Sequence, residues 1–472
     1  MSFQPILLWT DALLFVLFVG VLLALMRARG SEQMCAAWRR VGESNAGMVS
    51  LTLLMLFLMV GLADSLHYRS RLAPVGDAAG VTNKRVLSTE VLSLFDAMAA
   101  PLRARVEKTY SAPLAYILFA KETQEGADGV QRRDFPRLKF GGADLQYPED
   151  DYAGDVFGRI GIGVAIAAGA WAAFAAVLVA IVARSRKVPV GAAWRAIWRG
   201  KGGLAWRSVL ATMGVVLFVV GPLLALAMEY HVFGTDKVGR DVFYLALKSI
   251  RTALVIGTLT TLVTLPLAVV LGIMAGYLGG WVDDAIQYVY TVLNSIPGVL
   301  LIAAAVLMMQ VVIDTHPNWF ETAADRSDAR LLALCVILGM TNWTGLCRLL
   351  RGETLKLRES EYVQAARAFG VSAARILYRH LLPNLLHLVL ISLVMDFSGL
   401  VLAEAVLSYV GIGVDPETIS FGTMINAARM ELAREPMVWW SLIAAFCFMF
   451  VLVLVANLFA DCVRDAFAPR AS

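Results

Sequence analysis

The residues of this chain that could carry out chemistry are few and scattered. Glu149, Asp150 and Asp151 form an acidic run, and carboxylates suit hard cations, but the spacing matches no calcium loop and favours a solvated turn. The five histidines show no metal-ligand spacing: His67, His231, His316, His380 and His387. Lys201 lies in RGKGG, with Arg195 where a phosphate-binding P-loop needs its first glycine, and neither H-E-x-x-H nor G-x-S-x-G occurs. The sequence therefore predicts no catalytic residue, no metal site and no ATP site in this chain.

The composition predicts an all-α integral membrane protein. Of 472 residues, 59% are apolar and 17% charged, and the mean hydropathy is +0.68. Because so much apolar surface exceeds what a water-soluble core can bury, lipid must cover much of it. The net charge is only +4, and the basic residues cluster between apolar runs, which argues against a nucleic-acid partner.

Nine apolar stretches are long enough to cross about 30 Å of hydrocarbon, although the second is short. They are about 5–26, 47–63, 160–183, 208–228, 252–277, 286–313, 331–350, 385–408 and 437–459. Three loops rich in basic residues are predicted to be cytoplasmic: 27–46, with Arg27, Arg29, Arg39 and Arg40; 184–207, with seven basic residues and no acid; and 348–380. These loops predict an N-terminus outside and a C-terminus inside. Because Arg27 and Arg29 follow the first apolar run, we interpret that run as a retained anchor and not as a cleaved signal peptide.

The segment 64–158 is the one sizeable polar region, and its flanking spans place it outside the membrane. Within it, residues 86–107 have helical apolar spacing, with Ser88 or Thr89 as a cap, so we expect one or two helices with ordered loops and no chemistry. Gly158, Gly161 and Gly163 open the third span and predict close helix packing. The segment contains no cysteine, and we expect the chain's five cysteines to be isolated thiols: Cys35, Cys335, Cys347, Cys447 and Cys462.

The segment from Glu361 to Asn384, EYVQAARAFGVSAARILYRHLLPN, is a charged amphipathic region between apolar spans. As a helix it presents one apolar stripe, flanked by Glu361, Gln364 and Arg367. The stripe consists of Tyr362, Ala365, Ala366 and Phe369. Gly370 ends this helix, Ser372 can cap a second one, and Pro383 suits the first turn of the next span. The physical pattern alone fits docking of another protein and contact with the lipid surface equally well.

Here a family resemblance favours docking. Q-A-A-R-A-F-G followed by R-H-L-L-P resembles the EAA loop of ABC importer permeases, with Ala365, Ala366, Gly370, Leu382 and Pro383 matching and Gln364 in place of the family glutamate. The resemblance implies that residues 348–384 form a coupling loop that inserts into an ATPase subunit. The substitution at Gln364 removes a salt bridge from that position but preserves the shape of the helix.

Further motifs resemble those of permeases for dipeptides, oligopeptides and nickel chelates. Each such system has two permease types, and this chain resembles the second, which is related to oligopeptide permease C. The first motif is FGTDKVGRD, where we expect a structural turn with Asp236 bonding backbone amides and with Arg240 and Asp241 able to pair. Its predicted structural and gating residues are Gly234, Thr235, Asp236, Gly239, Arg240 and Asp241. Then come GYLGGWVDD at 276–284, LAEAVLSYVGIGV at 402–414 and FGTMI at 421–425. YPEDDYAGDVFG at 147–158 is loosely similar to longer microcin C and peptide permeases.

The resemblance implies a type I six-helix permease core at 205–468. Residues 1–63 then hold two additional spans, 64–158 the extracytoplasmic segment, and 159–204 a third additional span with a basic loop. It also implies a non-catalytic subunit of the bacterial inner membrane. The expected partners are a second permease, two cytoplasmic ATPases that bind ATP and magnesium, a solute-binding protein and membrane lipid. No cofactor is expected on this chain.

Other functions remain open in the sequence. Peptide is the first substrate expectation, with nickel chelates or a peptide-like antibiotic as alternatives. A secondary transporter or channel would place ionisable groups near the membrane midplane, and Asp396 and Glu404 are the acidic candidates. Glu404 is a candidate for packing or gating. A membrane-anchored receptor built on 64–158 would leave the motif-bearing spans unexplained.

Overall fold

The computed structural model describes residues 3–28, 32–71, 87–125, 131–200, 203–320 and 322–467. Eight helices in these ranges are long and apolar enough to cross a membrane, and they coincide with the last eight predicted spans. The helix in the first predicted span has a shorter apolar part, Trp9–Leu23. The mainly helical membrane fold predicted from composition is confirmed, and five short strands are added to it. Arg29 and Lys201, which we used for orientation, lie outside the described residues.

The N-terminal part combines three helices with a small sheet. Its elements in order are β1 (Phe3–Ile6), α1 (Trp9–Ala28), α2 (Glu32–Glu43), α3 (Asn45–Asp64), β2 (His67–Arg71), β3 (Leu87–Ser93), α4 (Leu94–Met98), α5 (Ala100–Ala104), β4 (Glu122–Glu125) and β5 (Gln131–Asp134). The antiparallel order β1-β2-β3 joins the start of the chain to the outer segment, and β4 and β5 form a separate antiparallel pair.

The predicted helix over 86–107 is wrong in its first part. LSTEVLS forms β3 because it pairs with β2, and this long-range pairing outweighs the local helical spacing. Helix begins only at Leu94, and Ser93 is its cap, not Ser88 or Thr89. Ser93 Oγ accepts from the Asp96 amide while the Asp96 carboxylate accepts from the Ser93 amide, each at 3.0 Å, which is a capping box.

A long helical hairpin leads from the outer segment to the core. It comprises α6 (Pro148–Arg186), the short α7 (Val190–Trp198) and α8 (Trp206–Ala227). The acidic run, predicted as a solvated turn, instead forms the first turn of α6, where carboxylates favour the positive helix terminus. Of the three glycines predicted to pack closely, only Gly163 does so, against Pro222 of α8. Gly158 and Gly161 have open space around them.

The remaining helices form the core. They are α9 (Val242–Leu278), α10 (Gly280–Ser295), α11 (Gly298–Thr315), α12 (Ala323–Arg358), α13 (Glu361–Ala368), α14 (Ala373–Ile376), α15 (Leu382–Val410), α16 (Phe421–Glu431) and α17 (Trp440–Phe467). The predicted span 286–313 is two helices that meet at Pro297. Because a proline lacks an amide donor, it fits the N-cap position of α11, where no intrahelical bond from its nitrogen is needed. Along α9, Gly272 and Gly276 let α12 approach closely, since a Cβ at Gly276 would lie 2.6 Å from Thr354 Cβ.

The chain has two opposite faces across its spans. The outer face carries the described parts of 67–147, the turn that precedes α9 and the loop 411–420, which contact one another through the residues described below. The inner face carries α2, α7 and α13, which lie at the other ends of the same spanning helices.

Candidate functional site: a docking helix and an outer motif cluster

The docking helix α13 is fixed to the core by one side. Val363 is 1% exposed and belongs to an apolar cluster that includes Leu350 of α12 and Ile376 of α14. Gln364 Nε2 donates to the carbonyl of Glu359 at 3.1 Å, so the residue that replaces the family glutamate supports the start of the helix. The helix is thereby held to the core on the side of Val363.

The predicted apolar stripe is only partly covered: Ala366 packs against the same cluster and the Tyr362 hydroxyl accepts from Asn384 Nδ2 at 3.0 Å, but most of the stripe is exposed. Phe369 is 88% exposed and Tyr362 43% exposed, Ala365 is exposed and Ala366 is half-buried. Glu361 and Arg367 flank this stripe and are also exposed. A large aromatic residue almost entirely in solvent beside small alanines is typical of a surface that another protein covers.

The chain continues from α13 into a membrane helix with little interruption. Gly370 has φ of +75°, a left-handed conformation that glycine adopts without strain, and it ends α13. Ser372 stands at the cap position of α14 but makes no side-chain capping bond. A wider π-helical turn, Leu377–Leu381, joins α14 to α15, and Leu382 and Pro383 form the first residues of α15. A displacement of α13 and α14 would therefore act directly on α15.

A bidentate ion pair braces the inner ends of the core helices. Arg351 of α12 donates from Nε and Nη2 to the two carboxylate oxygens of Asp283, at 2.6 and 2.7 Å. Asp283 lies in GYLGGWVDD, so this motif fixes α10 against the helix that leads into α13. Two parallel bonds give such a pair directional rigidity.

The FGTDKVGRD segment forms a tight turn that ends at the start of α9. Asp236 Oδ1 accepts from the amides of Val238 and Arg240, both at 2.9 Å. Arg240 pairs with Asp236 at 2.9 Å and not with Asp241, which differs from the pairing we considered. Asp241 instead caps α9 by accepting from the amides of Phe243 and Tyr244 at 2.8 and 3.1 Å. Asp241 bonds to these amides and not to Arg240 because the free amides and the positive dipole end of a helix N-terminus attract a carboxylate.

The two motif glycines lie directly under the outer segment. A Cβ at Gly239 would stand 1.8 Å from the carbonyl oxygen of Glu107, and a Cβ at Gly234 would stand 2.4 Å from that of Ser111. Thr235 is fully buried, and its hydroxyl accepts from the Ser111 amide at 2.7 Å. The segment 107–111 is therefore seated on the turn by backbone contacts that only glycine allows.

A buried acid–base cluster completes this junction. His231 Nδ1 lies 2.8 Å from Asp241 Oδ2 and Nε2 lies 3.5 Å from Glu107 Oε1, all three side chains being about 3% exposed. Burial alone lowers the pKa of His231, but its bond to Asp241 and its attraction to Glu107 outweigh burial and raise the pKa to about 9. Burial raises the pKa of Glu107, whereas His231 and three backbone amides outweigh it and lower that pKa.

We expect the junction to lose stability as the pH rises. A histidine whose pKa rises from 6.5 to about 9 on folding contributes stability that is complete below pH 6.5 and lost as the pH rises through 9. Glu107 acts in the opposite sense, losing its contribution only as the pH falls through its lowered pKa. The free energy of unfolding of the native chain should therefore exceed that of a His231→Gln variant by an amount that shrinks between pH 6.5 and 9, by up to about 3 kcal/mol. A constant difference across this interval would contradict a charged His231.

Glu404 lies beneath a cavity where the other outer motifs meet. It is 1% exposed and accepts from the hydroxyls of Ser408 and Ser420 at 2.6 and 2.9 Å. Gly422 of FGTMI lies against it, since a Cβ there would be 2.9 Å from Glu404 Oε1. The cavity, of about 280 Å³, is lined by Asp236 and by residues of 411–420 and α16. These bonds fix the Glu404 carboxyl group between α15 and the start of α16, while Asp396 is exposed on α15.

The sequence reasoning missed a polar stripe on the outer half of α9. Tyr244, Lys248 and Arg251 follow Asp241 at helical spacing and bind acidic residues that precede α9 in the chain. Lys248 pairs with Asp96 and lies 3.6 Å from Asp64. Lys248 and Arg251 stand in the sequence just before a long apolar run, and charges at a membrane boundary require partners. Their position was therefore the signal that could have predicted these ion pairs. The stripe attaches the N-terminal part to the core.

Arg251 has the most enclosed position in this stripe. Its Nη2 donates to Asp11 Oδ1 at 2.6 Å and lies 3.4 Å from the Thr10 hydroxyl. Thr10 in turn donates its amide to Asp328 of α12 at 3.1 Å, and His67 Nδ1 lies 2.8 Å from Asp11. One arginine thus connects α1, α9 and α12. Among the described residues, no group of three or more histidines, cysteines or carboxylates is placed to hold a metal ion.

Fold and site together define a multi-span membrane protein with an exposed helical loop on its inner face. Residues 268–472 match the binding-protein-dependent transport system inner membrane component family. The glutathione transport system permease GsiD of Pectobacterium atrosepticum is 31% identical over 51% of this chain and 73% of that protein. The chain belongs to this family of transport permeases, and the resemblance predicted from its motifs is confirmed.

Two further relatives carry the names of peptide permeases. The dipeptide transport system permease DppC of Lactococcus lactis is 31% identical over 52% of this chain and 65% of that protein. The oligopeptide transport system permease OppC of Mycobacterium bovis is 28% identical over 58% of this chain and 92% of that protein. The matches to these relatives thus leave more than two fifths of the present chain uncovered.

Proposed function

We propose that this chain is a permease subunit of an ATP-driven importer for dipeptides or oligopeptides. The observation that supports it most strongly is the exposed stripe of α13, which is joined to α15 through α14 and the π-helical turn and matches the family's ATPase-docking motif at Ala365, Ala366 and Gly370. The peptide substrate rests on the names of the relatives and on the outer motifs. Nickel chelates and peptide-like antibiotics are alternatives of the same class.

The proposed assembly contains a second permease, two ATPases that bind ATP and magnesium, and a solute-binding protein on the outer face. This chain supplies half of the pathway and no catalytic residue. Its inner face is cytoplasmic, with the N-terminus outside, and the membrane is the bacterial inner membrane. Closure of the ATPases would displace α13 and α14, and the π-helical junction would pass that displacement to α15.

Substitution of Ala365 by Asp tests the docking helix. Ala365 is exposed beside Phe369, so a carboxylate there disturbs no internal contact but places a charge in an apolar interface, which strongly opposes binding. We expect loss of ATPase co-purification and at least a tenfold fall in uptake, with normal membrane insertion. Ala36→Asp is the matched control, because Ala36 is exposed on α2, another helix of the inner face, away from α13. Equal ATPase binding by the Ala365→Asp variant and the native chain would contradict the proposal.

The two parts of the proposal can fail separately. Peptide-stimulated ATP hydrolysis by the complex reconstituted with its binding protein tests the substrate class. Association of the ATPases with the native chain, together with no response to any di- or oligopeptide, would retain the importer and reject the peptide assignment.

A further inference from the structure

The short helix α7 between α6 and α8 has a distinct surface on each side. Ala193 and Ile197 are buried in an apolar cluster with residues of α6 and α8. Val190, Trp194 and Trp198 lie at i, i+4 and i+8 and form an exposed apolar stripe. The two indole rings contact each other edge to face, with centroids 5.8 Å apart. One side of α7 is therefore fixed to the protein while an aromatic stripe remains uncovered.

A cationic stripe lies beside the aromatic one. Arg195 and Arg199 are exposed at i and i+4, one position after each tryptophan. The adjoining ends of α6 and of the loop add exposed Arg184 and Lys187. No acidic residue occurs in the sequence between Asp155 and Glu229. This is a local excess of positive charge with no carboxylate of its own.

A neighbouring element does not neutralise that charge. The Gly42 carbonyl at the end of α2 accepts from the Ala205 amide at 2.8 Å, which brings α2 beside the end of this loop. The acidic residue there, Glu43, already pairs with Arg39 at 3.0 Å. The arginines of α7 thus present their charge outward.

The position of α7 decides which environment it meets. Both α6 and α8 are long and apolar enough to cross a membrane, and α7 connects their inner ends. A helix at this level lies where hydrocarbon gives way to headgroups, the depth at which tryptophan and arginine side chains concentrate. Tryptophans then contact acyl chains while arginines reach phosphate groups.

We propose that α7 is a binding site for anionic phospholipid headgroups on the inner face of the membrane. The apolar stripe supplies partition into the interface, and the uncompensated arginines supply selectivity for negative charge. This site is separate from α13 and does not depend on the identity of the transported substrate. If another protein covered this stripe instead, its tryptophans would show no preference between anionic and neutral lipids.

Fluorescence quenching in lipid nanodiscs tests the site. The full chain is reconstituted in an equimolar mixture of phosphatidylglycerol and phosphatidylcholine in which only one of the two lipids is brominated, and the signal of a Trp194→Phe/Trp198→Phe variant is subtracted. We expect stronger quenching of these two tryptophans by phosphatidylglycerol. In the Arg195→Gln/Arg199→Gln variant the preference should fall about 25-fold, since each cation near the surface contributes about fivefold. Gel filtration confirms that the exposed substitutions leave the fold intact.

A Lys356→Gln/Arg464→Gln variant is the matched control. It loses the same charge, but each of these exposed cations has an acidic partner, Glu353 or Asp461. It should retain the native preference. Equal quenching by both lipids would overturn the proposed selectivity, and absence of quenching by either would show that protein covers the stripe. Loss of preference in the control variant would also contradict a site at α7.

Discussion

Replacement of Arg251 by Leu is expected to destabilise the folded chain by about 3–5 kcal/mol. Arg251 makes two bonds to Asp11, whose side chain is fully buried, and Thr10 links it to the buried Asp328. Loss of the guanidinium leaves Asp11 with His67 as its one remaining ion-pair partner among the described residues, while both carboxylates stay buried. Thermal unfolding of the purified chain in detergent measures the effect.

Two further variants separate the buried pair from a general loss of charge. An Arg251→Gln/Asp11→Asn chain carries neither charge of the pair and should recover at least half of the lost stability. Lys108→Gln removes a cation from an exposed pair with Glu122 and should cost less than about 1 kcal/mol. If Arg251→Leu melted like Lys108→Gln, the buried network would not hold the N-terminal part to the core.

The position of the spans could be predicted from the sequence because apolar length alone determines it. Their ends could not. We placed the start of the fifth span at 252, since Lys248 and Arg251 precede it, whereas α9 begins at Val242. Both cations are accommodated by residues more than 150 positions earlier in the chain, such as Asp96. A local pattern shows that such charges need partners, but only the fold supplies them.

The outer segment shows the same limit. LSTEVLS has apolar residues at a spacing that suits both a helix and a strand, and its pairing with β2 decides between them. The capping box at Ser93 was readable, because serine followed by aspartate three residues later is a local signal. The helix of α13 and the exposure of Tyr362, Ala365 and Phe369 were readable for a related reason, since helical spacing is a local property, whereas docking on this helix stays a prediction.

The role of the FGTDKVGRD glycines required the structure. Left-handed backbone is a general reason for glycine, and Gly239, with φ of +81°, fits it. The stronger constraint is the Glu107 carbonyl of the outer segment, which occupies the space that a side chain would need. Nothing in the spacing of the motif indicates that residues more than 100 positions away pass directly over it.

Replacement of Gly239 by Ala should consequently release the outer segment from the turn. The new Cβ would lie 1.8 Å from the Glu107 carbonyl oxygen, so the segment must move, and the expected cost is about 3 kcal/mol from overpacking and left-handed strain. Gly411→Ala is the matched control, because Gly411 has φ of +86° and open space around it, so only the strain of about 1–2 kcal/mol applies. The difference between the two variants isolates the contact with the outer segment.

A cysteine probe at Ser111 measures this release directly. Ser111 is fully buried against Thr235, so a Ser111→Cys thiol should react slowly with a membrane-impermeant maleimide in the otherwise native chain. Adding Gly239→Ala should accelerate labelling by about 100-fold, because local opening exposes the thiol in proportion to its equilibrium population. Adding Gly411→Ala should leave the rate within a few-fold, and parallel reactions of chains without the probe correct for the native cysteines. Equal rates in both variants would mean that the outer segment is held by other contacts and that Gly239 serves the turn alone.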